Sequence, residues 1–205
     1  ILTQQPKPIS NMQKTISSCG EITSGGDYEL GSDINDANAN ICLKIHDVRE
    51  VNIDCKNHKI YSGSVAIEIR NVQEFSINSC ILEVQDDALS YGALQIFNSN
   101  SGIITQNKIT NSGIKVEKSS QLKVVGNEIN YTYVQQASFD NLIEQNFVAG
   151  QGKEFSVSHL ISSEFGKRNV IRNNKIDGKS NGIFGGSDRG SGNNVNIGSD
   201  SGIDI

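Results

Sequence analysis

Apolar positions along this chain recur in a fixed short phrase: an aliphatic residue, two spacers, Asn or Cys, one more spacer, and a second aliphatic residue. It occurs as Ile77-Asn78-Ser79-Cys80-Ile81-Leu82, then as Ile104-Thr105-Gln106-Asn107-Lys108-Ile109. Further copies are Val124-Val125-Gly126-Asn127-Glu128-Ile129, Ile143-Glu144-Gln145-Asn146-Phe147-Val148 and Ile171-Arg172-Asn173-Asn174-Lys175-Ile176. Val51-Asn52-Ile53-Asp54-Cys55 is a looser first copy, closed by Ile60 after an insertion. Short alternating segments precede the copies: Leu43-Lys44-Ile45, Ile67-Glu68-Ile69, Leu94-Gln95-Ile96 and Ile114-Lys115-Val116. Alternation places one side chain inward and the next outward, as in a half-buried strand.

The Asn/Cys positions 80, 107, 127, 146 and 174 are separated by 27, 20, 19 and 28 residues. A minimal coil of about 20 residues with occasional insertions explains those steps. The pattern predicts an all-β, single-stranded, right-handed parallel β-helix of about seven coils, with three short strands per coil. No coil can bury its own inward face, so stacking is obligatory. Asn107, Asn127, Asn146 and Asn174 should then lie above one another as a structural amide ladder. Cys55 and Cys80 take the equivalent place in the first coils.

Composition agrees. The apolar residues are mainly Ile and Val, which suit strands, while 20 Gly and an excess of Asn and Ser suit turns. The net charge of -5 argues against nucleic acid as a partner. No apolar run of the ~18 residues needed for a membrane span exists. Residues 1–41 hold both prolines and Gly25-Gly26, and read as an N-terminal cap over the open edge of a solenoid spanning 42–205. At the other end, Gly202-Ile203-Asp204-Ile205 begins another alternating strand, as expected of a fragment of a longer chain or of an end that meets a partner. The four cysteines lack zinc-site spacing. Cys19 and Cys42 flank a polar stretch and can close a 24-residue loop as a disulfide, contributing about 3 kcal/mol. Cys55 and Cys80 read as free core thiols. An oxidising setting, secreted or at a cell surface, follows.

Cys19-Gly20-Glu21-Ile22-Thr23, Asp27-Tyr28-Glu29-Leu30, Cys42-Leu43-Lys44-Ile45 and Val51-Asn52-Ile53-Asp54-Cys55-Lys56-Asn57-His58-Lys59-Ile60 resemble the opening of secreted right-handed β-helix repeat proteins. The later coils are similar to repeats of the pectate-lyase-like superfamily. The resemblance covers most of the chain and is specific for fold. It implies little about activity, because that superfamily holds lyases, hydrolases, epimerases, tailspikes, adhesins and passive surface proteins.

In its enzymes the cleft runs along one outward strand face and the turn leading into it. Here that face would carry Lys44, Glu68, Gln95 and Lys115 in one column and His46, Arg70, Phe97 and Glu117 in the next. Asp86 and Asp87 lie in the leading turn, so Glu68, Arg70, Asp86 and Asp87 could gather within one coil as catalytic residues. Such a group could hold Ca²⁺ for uronate β-elimination or perform acid–base glycoside hydrolysis. The polygalacturonase-like Asn-Thr-Asp, Gly-His-Gly and Arg-Ile-Lys phrases are missing, and simple charge neutralisation between coils explains the same ladder. No metal site is indicated for His46, His58 and His159. Residues 85–92, 149–156 and 177–192 could build cleft walls, and Gly185–Gly192 reads as a long flexible turn. Tyr131, Tyr133 and Phe97 could stack on sugar rings.

Three functions fit. The first is a non-catalytic extracellular module with a structural, adhesive or carbohydrate-contacting role, needing no cofactor, with a polysaccharide or cell-surface glycan as partner. The second is a polysaccharide lyase or glycoside hydrolase. The third is a filament subunit that self-associates end to end.

Overall fold

The computed structural model describes residues 13–85, 92–130, 133–149, 159–164, 167–178, 181–184, 187–191, 194–197 and 203–204. All regular elements among them are strands, and every strand pairing is parallel. No helix among them is long and apolar enough to cross a membrane.

The strands form three sheets, of nine, eight and nine strands, visited in rotation as the chain winds. One turn runs from Glu50–Asp54 in the first sheet, through Lys59–Ser62 in the second, to Val65–Arg70 in the third. The next repeats the order with Glu74–Asn78, Ile81–Val84 and Leu94–Phe97. The expected parallel β-solenoid is therefore present. About five turns of the stack are described in full, against the seven coils expected.

Register follows the sequence phrases. In the third sheet Leu43, Ile67, Leu94 and Ile114 align, as do Ile45, Ile69, Ile96 and Val116, all at most 1% exposed. Ile53, Ile77, Ile104, Val124, Ile143 and Ile171 form the matching column of the first sheet. Each fully buried aliphatic chain contributes about 1.5–3 kcal/mol before chain entropy is subtracted. Residues 14–36 join the same pattern. Lys14–Ile16 pairs with Gly26–Leu30, Gly20–Ile22 with Ile41–His46, and Ile34–Asp36 with Lys59–Ser62. Residues 1–12 lie outside the described residues.

The asparagine ladder is present and buried. The Oδ1 atoms of Asn107, Asn127, Asn146 and Asn174 accept the backbone N–H of Cys80, Asn107, Asn127 and Asn146, at 2.9–3.0 Å. Their Nδ2 groups donate to the carbonyls of Ile77, Ile104, Val124 and Ile143. Each amide thus gives a buried backbone N–H of the preceding turn its partner and adds a donor to a carbonyl of that turn. The residue before each ladder position is left-handed: Ser79, Gln106, Gln145 and Asn173 have φ of 53–56°, and Gly126 has 67°. Only glycine adopts that conformation without a steric cost.

A second buried ladder runs along the turn from third to first sheet. Val72 N–H donates to Ser99 Oγ, Ser99 N–H to Ser119 Oγ, and Ser119 N–H to Ser138 Oγ, at 3.1–3.2 Å. Beside it, Asn141 Oδ1 accepts Leu122 N–H and Asn169 Oδ1 accepts Asn141 N–H.

Cys19 and Cys42 are disulfide-bonded, as expected. The expectation of free thiols at Cys55 and Cys80 is corrected: they are bonded to each other. The cause is the solenoid itself. Both occupy the ladder position of successive turns, which brings their Cα atoms to 4.7 Å, within disulfide reach. Gly185–Gly192 also departs from expectation, because Ser187–Ser191 is a strand paired with Lys167–Arg172. Its polar sequence reads as a turn, but the neighbouring strand supplies its backbone partners.

Candidate functional site

The outward face of the third sheet carries the two predicted columns in the predicted register. Lys44, Glu68, Gln95 and Lys115 are aligned, and so are His46, Arg70, Phe97 and Glu117. Alternation puts them there: their neighbours Leu43, Ile45, Ile67 and Ile69 fill the core.

Side-chain partners differ from simple neutralisation between coils. Glu68 is buried, 6% exposed, although it points outward. Its two oxygens accept from Arg70 of the same strand, Oε2 from Nη2 at 3.1 Å and Oε1 from Nε at 3.5 Å. The Arg70 guanidinium also lies 4.4 Å from the centroid of the Phe97 ring in the next turn. The Lys115 ammonium approaches that ring at 5.4 Å and pairs with Glu117 at 3.6 Å. Lys118 adds a second cation to Glu117 at 3.5 Å. Cation–ring contacts of this kind contribute about 0.5–2 kcal/mol each.

At the N-terminal end of the face, Glu21 accepts from Lys44 at 3.4 Å and lies 3.5 Å from His46 Nε2. Contact with His46, then with Lys44, holds the Glu21 carboxyl below its ordinary range. His46 Nδ1 meets Asp47 Oδ2 at 3.0 Å, and Asn71 donates to Asp47 Oδ1 at 2.8 Å. The hydrogen bond with Asp47, helped by the nearby Glu21 carboxylate, outweighs burial and raises the imidazole pKa. Glu21, Asp47, Asn71 and Lys118 escaped the sequence reading. Extending the outward column one coil back, through Gly20-Glu21-Ile22, finds the first of them.

Of the proposed catalytic group, the described residues bring together Glu68 and Arg70. Asp86 and Asp87 lie outside them, as do residues 88–91, 150–156, 179–180, 185–186 and 192 of the candidate cleft walls. Tyr131 also lies outside. Tyr133 opens the strand Tyr133–Gln136, aligned with Ile114–Glu117. Ca²⁺ does not fit the described part of the face. Both Glu68 oxygens are held by the guanidinium, and no group of three or more His, Cys, Asp or Glu among the described residues could hold a metal.

No protein-family model matches the chain, and no curated protein matches it.

Proposed function

We propose that this chain is a non-catalytic extracytoplasmic module, a stiff solenoid whose third sheet offers a flat polar face to a glycan or a neighbouring surface. The observation that carries the proposal is the occupancy of that face by its own contacts. Arg70 clamps Glu68 and covers Phe97, while Lys115 and Lys118 engage Glu117. Side chains fixed on one another resist the rearrangement that acid–base chemistry requires, and they suit rigid display. Two disulfides between successive turns support an oxidising compartment. The repeat phrases support placing the chain with secreted, right-handed helices of the pectate-lyase-like superfamily.

A screen against uronate-containing polysaccharides, with and without Ca²⁺, tests this. The expected result is no turnover by the wild type, together with retention on at least one immobilised polysaccharide or cell-surface glycan. Turnover abolished by Asp86→Ala, Asp87→Ala or Glu68→Gln would overturn it. One observation favours the enzymatic reading: Glu68 is a buried carboxylate on an outward face, which is where a catalytic acid would be held.

A further inference from the structure

We infer that His46 is a proton-operated latch that holds the strand Gly20–Ile22 against the next turn of the solenoid. Both ring nitrogens face carboxylate oxygens. Nδ1 lies 3.0 Å from Asp47 Oδ2, and Nε2, buried and without a well-formed hydrogen bond, lies 3.5 Å from Glu21 Oε2. Ionised carboxylates accept hydrogen bonds and donate none. A neutral imidazole carries one N–H, so one of its nitrogens must turn a lone pair toward an oxyanion. The imidazolium donates from both nitrogens and suits both neighbours. The ring is thus built to be charged, and its charge links a residue of one turn to Glu21 of the turn before.

Position gives this contact mechanical meaning. Pairing between the two strands runs Gly20↔Leu43, Glu21↔Lys44 and Ile22↔Ile45, and stops there, while the inner strand continues to His46. The Cys19–Cys42 disulfide fixes the start of the outer strand. His46 acts at its other end, where pairing gives out. The other groups around the ring agree. Lys44 shares Glu21 from the same strand. In the following strand Arg70, aligned with His46, is turned onto Glu68 and Phe97. Asn71 donates to Asp47, leaving the other Asp47 oxygen for the ring.

The sign follows. A histidine whose folded-state pKa is raised contributes stability that is fully present below its unfolded value of about 6.5, and loses it as pH rises through the folded value. Glu21 and Asp47, both lowered, remain ionised until well into acid. The latch is closed in mildly acidic solution and opens toward alkaline pH.

NMR titration of the intact, oxidised chain tests it, with Glu21→Gln and His46→Gln as variants; Glu21 is exposed, so its substitution leaves folding intact. In the wild type His46 should titrate above about 6.5, and its midpoint should fall in Glu21→Gln. Amide protection of Ile22 should drop several-fold as pH passes the midpoint, and should not drop in His46→Gln. A wild-type midpoint at or below the ordinary value overturns the latch, as does a midpoint unmoved by Glu21→Gln. Protection that is flat through the midpoint, or that falls equally in His46→Gln, overturns it as well.

Discussion

Two stretches of the same spiral hold their turns together by different means. In the N-terminal turns the links are covalent, Cys19 to Cys42 and Cys55 to Cys80. From Cys80 onward, buried amides at Asn107, Asn127, Asn146 and Asn174 do the work. The two devices meet at Cys80, which is bonded backward to Cys55 and donates its N–H forward to Asn107. Backbone geometry explains the change. At later ladder positions one left-handed residue precedes the ladder residue, whereas at Cys55 two follow it, Lys56 and Asn57. There the Cys55 N–H already donates to the carbonyl of Asn78, at 3.0 Å. An amide at position 80 would find no donor waiting. A disulfide needs close, suitably oriented Cβ atoms but no hydrogen-bond donor, and can act where the hydrogen-bonding need is already met.

The largest expected effect comes from Asn127→Ala. It orphans the buried Asn107 N–H, strips one donor from the Ile104 carbonyl and breaks the amide chain from Asn107 Nδ2 to Asn146 Oδ1, at about 1–3 kcal/mol for each buried group left short. A total loss of about 2–6 kcal/mol should appear in urea unfolding. A loss within a few tenths would show that the ladder is passive filler. Next is Cys55→Ala with Cys80→Ala. For a loop of this length the chain-entropy estimate is about 3 kcal/mol. The sharper comparison adds Cys55→Ala with Cys80→Asn, which should be no more stable than the alanine pair. Recovery by the asparagine would mean that the ladder can be extended backward and that the Cys55 N–H is free to leave the Asn78 carbonyl.

The ladder was legible in the sequence because Asn127 and Asn146 sit at a fixed place between aliphatic residues, and an inward turn position needs an amide. The outward columns were legible for the same reason, through alternation around Ile67 and Leu94. The second disulfide was not, although the arithmetic was available: Cys55 and Cys80 are 25 residues apart, one coil. The pattern stacked the two positions one coil apart, but the apolar neighbours of each cysteine suggested a buried thiol, and the closeness that stacking implies was not carried through to a bond. Ser99, Ser119 and Ser138 were missed because serine marks any turn, and nothing in the residue type shows that its hydroxyl will be buried. On the candidate face the pattern placed Glu68 and Arg70 on adjacent columns. It could not show that Arg70 would choose Glu68 along its strand over a partner across the stack, since side-chain torsions set that choice.

The serine ladder offers a milder test of the same idea. Ser119 Oγ accepts the Ser99 N–H at 3.1 Å and donates to the Glu117 carbonyl at 2.9 Å. Ser119→Ala should cost about 1–2 kcal/mol, less than Asn127→Ala, because the amide also bonds two neighbouring ladder side chains, Asn107 Nδ2 and Asn146 Oδ1. Equal losses would mean that the two turns tolerate an orphaned donor equally badly, and that the number of bonds per ladder residue does not matter.

The smallest effect separates the two regions by pH. In the middle turns Arg168 holds Asp140 through two contacts of 2.6 Å, and Arg172 holds Glu144 at 3.0 and 3.1 Å. In each case the guanidinium contact, the leading cause, lowers the carboxyl pKa. A lowered carboxyl contributes stability present above its unfolded pKa and lost as pH falls through the folded value. Asp140 and both arginines are exposed and Glu144 is only partly buried, so solvent screening keeps the contribution small. Asp140→Asn with Glu144→Gln should therefore be slightly less stable than the wild type at pH 7, and the gap should close as pH falls below the carboxylate range. Denaturant unfolding at a series of pH values checks this, and a gap that persists in strong acid rules out ion pairing as its source. His46, with its raised pKa, fails in the opposite direction, on the alkaline side. Acid loosens the links between the middle turns, and base loosens the contact that seats Gly20–Ile22.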